Sequence, residues 1–147
     1  YDPVEDRIKT ENDSGYIPYS KYNDELNKKV PLIVWTKSKK YNIVVSVPMG
    51  MIDVLPTIGN MLDIHSDYQL GKDVFNIKDG DNTVVFVDGS YLTSKIYYNA
   101  PKSEIYSITN EPVSENYIKE RTKYSSKIIE ISNNIISYNL IKELKGT

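Results

Sequence analysis

Residues 30–64 read VPLIVWTKSKKYNIVVSVPMGMIDVLPTIGNMLDI, and the reading of this stretch decides the fold. Val30, Leu32, Ile33, Val34 and Trp35 form a nearly continuous apolar run rich in β-branched and aromatic types. Such a run predicts a strand covered on both faces. A basic tether follows, and then Asp53 stands where a helix N-cap belongs, its carboxylate placed to accept the free N–H of Leu55 or of a residue beyond. Pro56 suits a first turn, where a missing N–H costs no intrahelical bond. Leu55, Ile58 and Leu62, with Met61 beside them, give the spacing of one buried helical stripe, which should end near Asp63.

Read together, VPLIVW, the later IDVLPTIGNMLDI and then YQLGKDVFN carry a resemblance. The order of motifs is similar to the C-terminal part of the sulfatase-like branch of the alkaline phosphatase superfamily. In wording it most resembles the bacterial lipoteichoic acid synthase-type phosphoglycerol transferases. The likeness runs from about Val30 through the C-terminal helix and is densest between Ile52 and Phe75. It implies an α+β chain that is the C-terminal piece of an alkaline-phosphatase-like α/β fold. Residues 1–29 would be an irregular lead, 30–80 the last strand-helix unit of the sulfatase-like domain, and 81–147 a subdomain of four antiparallel strands and a long helix.

Composition bounds the alternatives. The 147 residues are about one domain's length, 39% hydrophobic and 26% charged, with a formal net charge of -2. That balance gives no general field for attracting nucleic acid or anionic lipid. The chain has no cysteine, which excludes disulfides, thiolate metal sites and cysteine nucleophiles. No run approaches the 18 or so apolar residues of a membrane span, and the first residue, Tyr1, is not methionine. The expectation is a processed product or excised piece, with any membrane spans on missing N-terminal polypeptide.

Tyr16, Tyr19 and Tyr22 in the polar lead read as anchors laid on the body of the fold in preference to a stacking platform. A turn of helix is expected at Ser20 to Asn27. Lys37 to Tyr41 reads as a solvated basic turn, and Ile43 to Val47 as extended chain closed by Pro48 and Gly50. His65, the only histidine, lies in the polar HSDY turn and reads as a surface residue, since a metal site needs further ligands. Leu70 to Ile77 should close over the helix. Asp79, Asp81 and Asp88 do not follow a twelve-residue calcium loop, whose terminal glutamate is missing. Gly80-Asp81 is followed by Asn82 and lies after the Val-Pro-Leu run, so it is a decoy for the family's Gly-Asp-His metal motif.

From Thr83 the period changes to two. Val84–Val87, Tyr91–Thr93, Ile96–Tyr98 and Ile105–Ile108 are predicted strands, parted by Asp88-Gly89, Ser94-Lys95 and residues 99–103. Ser114 is a predicted N-cap for a helix from Glu115 to about Leu144. Tyr117, Ile118, Tyr124, Ile128, Ile131, Ile135, Tyr138 and Ile141 keep its three-and-four spacing. The small sheet is its expected partner, with a second contact to a parent body or another copy; lying on a membrane surface is the weaker alternative.

The resemblance implies a parent enzyme in which a metal-bound threonine, or a formylglycine in true sulfatases, attacks a phosphoryl or sulfuryl centre. The divalent ion, manganese or magnesium, is expected in that parent. No catalytic, cofactor-binding or metal residue is carried over to this chain, because the family's motif positions for those roles lie upstream of the matched part. The expected partner is the remainder of the catalytic domain, at the extracellular face of a bacterial cytoplasmic membrane. Two alternatives remain open: a stand-alone module that binds a cell-envelope polymer or self-associates, and a fragment of a sulfatase or phosphoethanolamine transferase.

Overall fold

The computed structural model describes residues 12, 29–37, 42–78 and 81–146. The contact pattern divides the chain into two units, residues 1–40 and 41–147.

Within the first unit, residues 29–37 carry no helix or strand, which corrects the expected core strand. Val30, Ile33 and Trp35 are 72%, 81% and 81% exposed. A strand buried on both faces needs neighbours to take its backbone hydrogen bonds, and the ladders among the described residues all lie within residues 84–107. The turn of helix at residues 20–27, the three lead tyrosines and most of the 37–41 turn lie outside the described residues.

The second unit is an α+β body. Residues 42–46 run without a strand partner into a single 3-10 turn, Met51–Asp53, and helix α1, Val54–Leu62. The helix ends at Asp63, which takes a left-handed conformation (φ 57°) and closes the last turn with its N–H on Asn60. A second 3-10 turn, Val74–Asn76, is capped by the Asp73 side chain, which accepts from Phe75 N.

Strands β1 (Val84–Val85), β2 (Tyr91–Leu92), β3 (Ile96–Asn99) and β4 (Glu104–Ser107) form an antiparallel meander in sequence order. The polar turns set it out as the sequence leads one to expect. Asp88 Oδ1 accepts from Ser90 N while Gly89 sits at φ 86°, and Thr93 Oγ1 accepts from Lys95 N and Ile96 N. Val85 faces Tyr91 and Tyr91 faces Tyr98, which faces Ile105, so these residues share one side of the sheet. Helix α2, Glu115–Ser137, lies on that side: the Tyr91 hydroxyl donates to Ile118 O at 3.2 Å and lies 3.2 Å from Thr122 Oγ1. Ser114 caps α2 as expected, accepting from Tyr117 N.

The single long helix foreseen to Leu144 is two. Asn139 turns left-handed (φ 50°), and α3 begins at Leu140 and ends at Lys145. The Tyr138 N–H closes the last turn of α2 on Asn134 O. Asparagine tolerates the left-handed region better than most residues, and the break brings Leu140 and Ile141 to half-buried positions.

Candidate functional site

Among the described residues the large buried apolar side chains, apart from Pro56, are Val74, Tyr91, Ile96 and Tyr97, whereas eight buried residues are polar or charged. The interior of the second unit is therefore organised by hydrogen bonds, and two carboxylates lead it.

Asp53 is 3% exposed. Its Oδ2 accepts from Gly50 N (2.9 Å) and Asn82 Nδ2 (2.9 Å), and its Oδ1 accepts from Lys72 N (2.8 Å). This corrects the expected capping role: the side chain makes no bond to the first turn of α1 and ties together three segments of the chain. Asn82 also donates to Pro48 O at 3.1 Å, so both neighbours of its Nδ2 are acceptors and the orientation of the amide is fixed. Thr57 continues the arrangement, donating to Asp53 O (2.6 Å) and accepting from Val74 N (3.2 Å). The 70–77 segment thus closes over α1 as expected, through polar contacts. Asn60 and Asn76 both donate to Asp73 Oδ2 at 2.7 Å.

Close backbone approach accompanies these bonds. A Cβ on Gly71 would sit 1.8 Å from Ile52 O, and one on Gly59 would sit 2.5 Å from Ile64 O.

Asp81, next in chain to Asn82, leads the second cluster. Arg121 Nη2 donates to its Oδ2 at 2.8 Å, the Tyr117 hydroxyl lies 2.8 Å from both of its oxygens, and Ser94 Oγ donates at 3.0 Å. Arg121 Nη1 reaches Thr83 Oγ1, and the guanidinium lies 4.9 Å from the centre of the Tyr117 ring. Burial pushes the Tyr117 phenol above its ordinary value, and the Asp81 carboxylate adds to the effect. Burial likewise raises Tyr91.

These clusters tie segments of the chain together: both oxygens of Asp53 and both oxygens of Asp81 accept hydrogen bonds from the chain. Groups of three or more histidine, cysteine, aspartate or glutamate side chains that could ligate a metal do not occur among the described residues. His65 is exposed on its turn, 3.8 Å from Asp63, which is also exposed. Asp88 is spent on its own hairpin turn. Asp79 and Gly80 lie outside the described residues. Two hollows of about 570 and 500 Å³ open broadly to solvent, one between the β1–β2 turn and α2, the other beside Lys72, Asn76 and Asp81.

The tyrosines of the sheet are used for packing. Tyr91 and Tyr97 are fully buried, Tyr91 stacks on Tyr98 at 5.1 Å, and Tyr97 meets Phe86 edge-on at 6.1 Å. What sequence reasoning missed is the joint of Asp53, Asn82, Asp81 and Arg121. Its one signal in the text was the polar DN pair ahead of an apolar strand.

The apolar side chains are turned the other way. On α1 and the 3-10 turn before it, Met51, Ile52, Leu55 and Leu62 are 80%, 46%, 62% and 64% exposed. The face of α1 that is buried consists of Pro56, Thr57 and Gly59. This corrects the expectation that Leu55, Ile58 and Leu62 form a buried stripe: Leu55 and Leu62 face outward and Ile58 is half-buried. The polar joint seats the inner face by hydrogen bonding and close approach, which leaves the stripe outward. Among the described residues no helix is long and apolar enough to cross a membrane. Compared with known proteins, the sequence matches no family model, and no curated protein shows significant similarity to it.

Proposed function

We propose that this chain is the C-terminal, non-catalytic segment of a sulfatase-superfamily enzyme of the lipoteichoic acid synthase-like phosphoglycerol transferase type. The observation that carries the reading is the outward apolar stripe on α1, set on a helix whose inner face is already seated by the Asp53 joint. A helix held in place on one side and oily on the other is built to receive a second body. The resemblance in VPLIVW, IDVLPTIGNMLDI and YQLGKDVFN supplies the identity of that body: the metal-bearing catalytic domain upstream.

On this reading the parent acts outside the cell, taking glycerol phosphate from phosphatidylglycerol and passing it to a growing polymer. The nucleophile and the divalent ion belong, on the same reading, to the upstream domain, where the resemblance puts the family's motifs for those roles. The work of this chain is to buttress that domain. The test begins with the reading frame upstream of Tyr1: a threonine nucleophile, a downstream Gly-Asp-His and N-terminal membrane spans are expected. In the joined protein, Leu55→Asp with Leu62→Asp should abolish glycerol-phosphate transfer while leaving the nucleophile in place. An upstream frame without those motifs overturns the proposal. A cysteine or serine in the nucleophile motif would favour the sulfatase alternative.

The same outward stripe favours one second reading, a self-associating module. Sedimentation of the isolated chain separates the two: a discrete dimer across a wide concentration range supports self-association, and a monomer removes it.

A further inference from the structure

We draw no further inference here: the strongest candidate, the unpartnered apolar face formed by Met51, Ile52, Leu55 and Leu62 on helix α1 and the turn before it, belongs to the surface on which the proposed function already rests, and nothing in the structure shows what else covers it.

Discussion

Replacing the Asp53 carboxylate by a methyl group would strand three donors at once: the N–H groups of Gly50 and Lys72 and the amide of Asn82. Each buried polar group left unpaired costs roughly 1–3 kcal/mol, so Asp53→Ala should lower the unfolding free energy by about 3 kcal/mol or more. Asp53→Asn should recover only part of this, because a carboxamide offers one acceptor oxygen where three donors converge. Urea denaturation checks both; a midpoint close to that of the parent chain for Asp53→Ala would show that the joint does not hold the unit together. Gly71 makes a steric counterpart. A methyl group there would lie inside the contact radius of Ile52 O, and overpacking of this kind typically costs about 1–3 kcal/mol. The buried phenol of Tyr91 makes a prediction about pH. Its folded-state value is raised above 10.0, so as pH climbs past that point the unfolded chain releases the proton first. The unfolded state then binds fewer protons than the folded state, and stability falls with rising pH. The contribution is fully present below about pH 10 and is lost as pH passes through the folded-state value. Tyr91→Phe should flatten that alkaline decline, which unfolding curves at a series of alkaline pH values would read. Asp53 itself was legible as the residue at the helix start. Its partners were not, because Lys72 and Asn82 are 19 and 29 residues away and no local pattern marks a bond that long.

Helix α1 is where hydrophobic periodicity located an element and misplaced its face. The spacing of Leu55, Ile58 and Leu62 and the proline in the first turn gave a helix, and Asp63 gave its end. The inward side was decided instead by Thr57, which bridges Asp53 O and Val74 N, and by Gly59, which permits the close approach of Ile64. Small and polar residues of this kind add nothing to an apolar stripe, so the stripe was taken for the buried side. The two orientations give opposite outcomes. Were Leu55 and Leu62 core residues, replacing either by serine would cost several kcal/mol, of the order of 2–5 for large-to-small core changes. On the exposed face found here, each change should fall within about 0.5 kcal/mol of the parent. Thr57→Val should show the reverse, destabilising by about 1–2 kcal/mol because Val74 N–H loses its acceptor. Parallel thermal unfolding of the three variants decides between the orientations. The meander was more legible, since alternation of period two and the Asp88-Gly89 and Thr93-Ser94-Lys95 turns specify pairing locally. The break at Asn139 was not, because the apolar spacing runs through it from Ile135 to Ile141, and a single left-handed residue leaves no mark on that spacing.

Among the described residues few large apolar side chains are buried and many are exposed, while polar clusters hold the second unit. Val30, Ile33 and Trp35 in the first unit, and Met51, Leu55 and Leu62 in the second, are each more than half exposed. Within the second unit, an outward stripe such as Met51, Leu55 and Leu62 has the character of an interaction surface, since monomeric soluble domains rarely expose large apolar patches. Burying it returns roughly 25 cal/mol for each Å² removed from water, so a partner covering the stripe gains binding energy without disturbing the Asp53 and Asp81 clusters. This separation of folding from docking is the basis of a decisive experiment. On the proposed reading, a catalytic domain encoded upstream and this chain are expressed as two pieces and mixed. They are expected to co-elute, and Leu55→Asp with Leu62→Asp should abolish co-elution while the urea midpoint of this chain stays where it was. Asp53→Ala should act differently, lowering the midpoint first and weakening co-elution only as the chain unfolds. If the double aspartate variant co-elutes as well as the parent chain, the stripe is not the docking face, and the outward orientation of α1 would need another cause.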